Sequence, residues 1–331
     1  MNETMKSYVA AFAQHLAEAI KIGQHTQVAN PPSFSNVIIT GLGGSGIGGK
    51  IVSQLVAPSC PVPIYVNNDY TLPAFVGPST LVIASSYSGN TEETLISVNQ
   101  ALKAGAFVYC ITSGGKLAEL ANSQSLGLTL IPSGYPPRAA FGYGFPQLLY
   151  VLAAFQLIDS SFEHSLKEAI GMLEKQENQI QAEALQIAKS LYQKERVVIY
   201  AEADFEGVCI RFRQQLNENS KILCWHHILP EMNHNELVGW AGGNENTAVV
   251  LIQNDSDYYR TTERFVFSKA VFEKYTSSIT ALRSQGTDDL VRSLYIIHLT
   301  DWVSCYLADL RGVDAIEIDV INQLKSRLAE F

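Results

Sequence analysis

The stretch from Asn36 to Lys50, NVIITGLGGSGIGGK, limits what this chain can become more than any other. Asn36 to Thr40 form a short β-branched run of the kind that fills a buried strand, and glycines follow at 41, 43, 44, 46, 48 and 49 with no spacer. A strand thus runs straight into a backbone unencumbered by side chains. The apolar pattern resumes at Ile47, Ile51, Val52 and Leu55, which predicts that a helix begins there. Such a helix start offers free N–H donors and the positive end of its dipole to an anion. A plain strand-to-helix turn would use about one or two of these glycines and leave the others without a purpose.

The chain repeats this arrangement. Residues 62–66 and 81–84 read as strands, and the second of them opens into SSYSGNTEET. There Ser85, Ser86, Ser88 and Thr91 crowd four hydroxyls around Gly89, just before a helical pattern starts at Glu92. Strands at 106–112 and 126–131, a loop rich in Gly, Pro and aromatics at 132–144, and a helix at 145–158 complete a first βα alternation. A charged helix at about 163–195 leads to a second alternation, with strands at 196–200, 222–225, 247–252 and 278–282 and helices at 207–219 and 261–275. Two terminal helices, 288–310 and 316–329, are separated by RGVD. The reading is an α/β protein of two tandem units, 1–158 and 159–331, each a mostly parallel sheet with helices on both faces.

Charge and cysteine content narrow the function. With a net charge of −9 and 17% charged residues, the chain has no basic stripe for nucleic acid. The first 23 residues alternate apolar and charged positions at helical spacing, which predicts an amphipathic helix and not a signal peptide; no apolar run is long enough for a membrane span. Cysteines at 60, 110, 209, 224 and 305 never form a CxxC pair, so reduced thiols and a cytoplasmic location are expected.

Several chemistries remain open on residue pattern alone. Gly41, Gly43 and Gly46 satisfy the dinucleotide fingerprint G-x-G-x-x-G, with Asp69 as a distant candidate for its acidic partner. The hydroxyl loop at 85–91 argues instead for a compact phosphate, because serine and threonine hydroxyls at a helix start serve phosphate oxygens without lysine or arginine; a simple helix cap is the alternative. Glu218, between Asn217 and Asn219 at the end of a helix, is a carboxylate base or a solvated cap. His234, in PEMNHNELVGW, is a candidate acid or base held among amides. His226, His227, Glu231 and His234 match none of the common zinc spacings, so no metal is expected.

Together these stretches resemble the sugar isomerase (SIS) domain family, and within it the bifunctional phosphoglucose/phosphomannose isomerases. GLGGSGIGG, SSYSGNTEET, PPRAAFGYG, NENSK, PEMNHNE and the terminal NQLK carry the resemblance over nearly the whole chain. It implies two SIS domains of flavodoxin-like topology, a homodimer with its sites at the subunit interface, and exchange of aldose and ketose 6-phosphates without a cofactor. By the same match Ser86, Ser88 and Thr91 hold the phosphate, and Gly44 and Ser45 line the sugar. Arg138 lies over the reacting carbons, Glu218 moves the proton, and His234 with Lys325 opens the ring. Other phosphosugar isomerases or deaminases of this scaffold, and a sugar-phosphate sensor, are the rival readings. One departure stands out: residues 314–325 lack the threonine that the bifunctional relatives carry, and Ile316 or Ile318 takes its place. An apolar wall discriminates weakly between epimers, so mannose 6-phosphate is still expected to be accepted.

Overall fold

The computed structural model describes residues 2–328 and 330. In the N-terminal half, helices α1 (Glu3–Ala10) and α2 (Phe12–Gly23) precede strand β1 (Asn36–Thr40), which buries four of its five residues. The β-branched run at 36–40 therefore lies inside a sheet, as its composition demands. Helix α3 (Gly43–Leu55) follows at once, then β2 (Ile64–Asn67), β3 (Thr80–Ser85), α4 (Glu92–Lys103), β4 (Phe107–Thr112), α5 (Gly115–Ser123), β5 (Gly127–Leu130) and α6 (Phe141–Ala154). The five strands are all parallel, in the order β2-β1-β3-β4-β5. This is the flavodoxin-like order, whose switch point lies between β1 and β3, so the loops leaving those two strands flank the crevice where such sheets bind ligands.

The long α7 (Phe162–Tyr192) leads to β6 (Arg196–Glu202), α8 (Glu206–Glu218), β7 (Cys224–Leu229), the short α9 (Glu236–Gly239), β8 (Thr247–Gln253), α10 (Tyr259–Phe272) and β9 (Ile279–Arg283). Their order, β7-β6-β8-β9, repeats the first four positions of the other sheet, again all parallel. Helices α11 (Asp289–Arg311) and α12 (Asp319–Leu328) close the chain. One continuous apolar core runs through both halves, taking in α2, α3, α6, α7, α8 and α11. Two smaller clusters fill the outer faces of the sheets. Among the described residues no helix is long and apolar enough to cross a membrane, and all five cysteines are free.

The structure departs from the sequence reading at several boundaries. The N-terminal amphipathic stretch is two helices rather than one, because α1 packs on α11 while α2 packs on α6 and α7. Helix α3 starts at Gly43, not near Ile47, so most of the glycines lie within it. Helix α6 takes in FGYG, which reads as loop. Gly142 serves close packing there, since a Cβ on it would lie 2.9 Å from the Cβ of His15. Strand β7 extends through His226 and His227, polar residues that an edge strand tolerates. The expected end of the last helix at Ala329 lies outside the described residues.

Candidate active site

The two loops at the switch point interlock. Ser45, in the first turn of α3, accepts a hydrogen bond at Oγ from the Tyr87 N–H, 2.9 Å away. Ser86, almost fully buried, donates from Oγ to Thr91 Oγ1 at 2.9 Å, and Ser88 Oγ accepts from the Asn90 N–H at 3.2 Å. Thr91 is the N-cap residue of α4 but makes no side-chain cap bond, so the first N–H groups of α4 are left without a side-chain cap. The loop is held from behind. The Ser113 N–H and Oγ both donate to the Tyr87 carbonyl, at 2.9 and 2.6 Å, and the Lys116 N–H donates to Asn90 Oδ1 at 3.1 Å. Gly89 has φ +66°, and a Cβ there would meet the Gly114 carbonyl at 1.8 Å, so only glycine lets these loops touch. Gly44, Ser45, Tyr87, Pro137, Phe141 and Phe145 border a narrow adjoining cleft of about 20 Å³.

Gly44 brings the third segment in: the Arg138 backbone passes so close that a Cβ on Gly44 would lie 2.9 Å from its nitrogen. Arg138 is 3% exposed, and its guanidinium crosses from the N-terminal half to the C-terminal half. Nε donates to Asn219 Oδ1 at 2.7 Å, Nη1 to Glu218 Oε2 at 3.2 Å, and Nη2 to the carbonyls of Ala315 and Ile316 at 2.5 and 3.4 Å. Burial pushes the Arg138 pKa down, and the Glu218 charge opposes that shift; an arginine keeps its proton regardless. Glu218 is the last residue of α8, so the helix end presents it to the crevice.

Three further groups brace the pair, and sequence reading did not single them out. Arg211 donates from Nη2 to Asp301 Oδ2 at 2.5 Å and to the Arg138 carbonyl at 3.2 Å, while its guanidinium lies over the Phe141 ring at 4.3 Å. Asn219 donates from Nδ2 to Ser304 Oγ at 2.9 Å. Lys221 donates from Nζ to the carbonyls of Glu218 and Glu317, at 2.5 and 2.6 Å, and burial lowers its pKa. Asn219 and Lys221 lie within NENSK beside Glu218, whereas the sequence signal of Arg211, Asp301 and Ser304 is polarity on otherwise apolar helices that fill the core.

Gly44, Ser45, Ser86, Ser88, Thr91, Arg138 and Glu218 thus form one connected surface. Among the described residues no hydrogen bond or ion pair ties the side chain of His234 or Lys325 to it. His234 is exposed on a turn, and the amides around it hold the turn, not the ring. Asn233 bonds to Ser268 and Arg264, Asn235 to Glu231 and the Glu236 N–H, and Glu236 accepts from Tyr200 and Trp225. Lys325 sits on α12, none of whose described residues is buried. The Ile316 side chain packs against the core, so its carbonyl, not its side chain, faces Arg138. His226 faces Arg213 and Glu206 and His227 accepts from the Ile228 N–H, and among the described residues no three His, Cys, Asp or Glu side chains are grouped to hold a metal.

Residues 180–328 match the bacterial phospho-glucose isomerase C-terminal SIS domain. The solved C-terminal domain of glucosamine-fructose-6-phosphate aminotransferase from Francisella tularensis shares the fold with a TM-score of 0.79, covering 96% of this chain and 99% of that one at 14% identity. The protein is thus of the tandem SIS class. The bifunctional phosphoglucose/phosphomannose isomerase of Caldicellulosiruptor bescii is 36% identical over 328 residues, which is 96% of this chain and 97% of that protein. Its counterpart in Aquifex aeolicus is 36% identical over 298 residues, 89% of this chain and 91% of that protein. With similarity of this extent, the chain belongs to the bifunctional phosphoglucose/phosphomannose isomerase family.

Proposed function

We propose that this chain interconverts glucose 6-phosphate or mannose 6-phosphate with fructose 6-phosphate through a cis-enediolate, in the cytoplasm and as a homodimer of chains divided at about residue 158. The observation that carries the reading is the Arg138–Glu218 pair, 3.2 Å apart at the crevice and adjoining the hydroxyl loop. A sugar whose phosphate is held by Ser86, Ser88 and Thr91 would extend past Gly44 and Ser45 toward that pair. The Glu218 carboxylate takes the C2 proton of the open-chain aldose and returns it to C1, while the hydroxyl proton passes from O2 to O1. Arg138 supplies fixed positive charge where the enediolate oxygen becomes negative.

Ring opening needs an acid at the ring oxygen and a base at O1. His234 and Lys325 are the proposed groups, and the partner subunit's His234 would complete each site. What supports this is the exposure around both: Val238, four residues from His234, is 76% exposed, and Val320 and Leu324 on α12 are 78% and 56% exposed. A second copy would cover them. Glu218→Gln tests the reading of the pair. It should lower kcat by roughly 10²- to 10⁴-fold with phosphosugar affinity kept within a few-fold. Continued exchange of the C2 proton with solvent in that variant would rule Glu218 out as the base.

A further inference from the structure

Arg138 makes its hydrogen bonds from a buried position, so whatever holds its guanidinium plane decides where Nη1 points. The backbone carbonyls of Ala315 and Ile316 both engage Nη2. Among the described residues Nε has one partner, Asn219 Oδ1 at 2.7 Å. A planar guanidinium fixed at Nε and Nη2 has no freedom left to swing Nη1 away from Glu218. Asn219 is itself fully buried and locked: its Nδ2 donates to Ser304 Oγ, which in turn donates to the Asp301 carbonyl at 2.7 Å. The amide cannot flip without setting its NH₂ against the arginine's own N–H.

We infer that Asn219 is the positioning residue of the reaction, aiming Arg138 Nη1 at the reacting carbons, with Ser304 fixing the amide. The side chain must be an amide for two reasons. It accepts from the arginine with one end and donates to Ser304 with the other. It also stays neutral, which leaves the arginine's charge for Glu218 and the developing enediolate; a carboxylate there would cancel that charge in a water-poor site.

This inference rests on Arg138 and Glu218 being the reacting pair, and the experiment separates the two. Steady-state kinetics of Asn219→Asp, which keeps the acceptor but adds a charge, should show kcat about 10- to 100-fold lower with KM within about threefold of wild type. Asn219→Ala should also lose kcat and not KM. Ser304→Ala should give a smaller loss in kcat, and that loss should vanish in the Asn219→Ala background, where its route to the arginine is gone. A role confined to folding would lower the thermal midpoint and leave kcat per folded enzyme unchanged. If kcat in the Asn219 variants stays within about twofold of wild type while Glu218→Gln is inactive, the positioning role is wrong and the pair stands. An active Glu218→Gln would remove the pair and this inference with it. Should the Asn219 variants fail to fold, an unchanged kcat in Ser304→Ala overturns the inference and a reduced one with normal KM supports it.

Discussion

Gly44 shows how a single position can join two ends of the site. A Cβ there would lie 2.9 Å from both the Arg138 nitrogen and the Pro137 carbonyl carbon, backbone atoms that cannot rotate away. Gly48, one helical turn later, would place its Cβ 3.3 Å from the tip of Leu148 and otherwise meet only ordinary contacts. Alanine in a helix gains about 1 kcal/mol over glycine, whereas overpacking against fixed atoms costs about 1–3 kcal/mol. Gly44→Ala is therefore expected to be less stable than wild type and to lose kcat as Arg138 is displaced, while Gly48→Ala should be equally or more stable. Urea unfolding and kcat of the two variants check this; a stable, fully active Gly44→Ala would mean that the Pro137–Arg138 backbone is free to retreat. Residue type and spacing alone single out 41–49 and 85–91, because glycine and hydroxyl density is a local signal. They are silent on Asn219, Arg211 and Ser304, whose importance comes from partners distant in sequence and brought close by the packing of α8 on α11.

Among elements, the alternation of strand and helix was legible because each strand is a compact apolar run closed by turn residues, and β1, β3, β6 and β8, the buried central strands, are the plainest. Ends were less so, since the α6 start and the α1–α2 break depend on which neighbour each turn packs against. The corresponding loops of the C-terminal sheet differ in chemistry from those of the first. Where the N-terminal sheet presents glycine and hydroxyls, the ends of β6 and β8 present Glu202 and, in the loop after β8, Asp257. Asp257 accepts from the Asn254 N–H and Nδ2 at 2.9 and 3.1 Å. Burial and then the Glu202 charge push its pKa up from 3.8 to about 6. Between those values the folded chain holds a proton that the unfolded chain has released, so stability falls as pH rises through that window and the loss is complete above it. Asp257→Asn keeps an acceptor for the Asn254 N–H and, with the Asn254 amide turned over, offers an amide N–H to Asn254 Oδ1, a buried atom without a partner among the described residues. Its unfolding midpoint should exceed that of wild type at about pH 7.5, and should shift less than wild type between about pH 4 and that pH. A variant that tracks wild type at both pH values would show that Asp257 is ionised in the folded protein as in the unfolded one.

On the scale of the whole molecule, a single chain gathers the groups proposed to hold phosphate and move a proton, whereas His234 is exposed on its turn and Lys325 lies on the unburied α12. The continuous core from α2 to α11 ties the two halves into one body, so closing the gap by rotating one half on the other would break buried apolar contact throughout. The proposed second copy would close it without that cost. In a twofold dimer the same surface would serve both sites, so each chain would give its His234 turn to the other and receive one back. Co-expression of Glu218→Gln with His234→Ala tests this. Each mixed dimer would hold one site with both lesions and one with neither. Statistical assembly makes half the dimers mixed, which predicts about a quarter of wild-type activity from two chains that are each nearly inactive alone. Mixing the separately purified variants should yield that activity only as fast as dimers exchange subunits. Activity no greater than the sum of the two variants, in a sample where mixed dimers are demonstrated by differential tagging, would mean that each chain completes its own site, with α12 and the His234 turn folding back onto their own crevice.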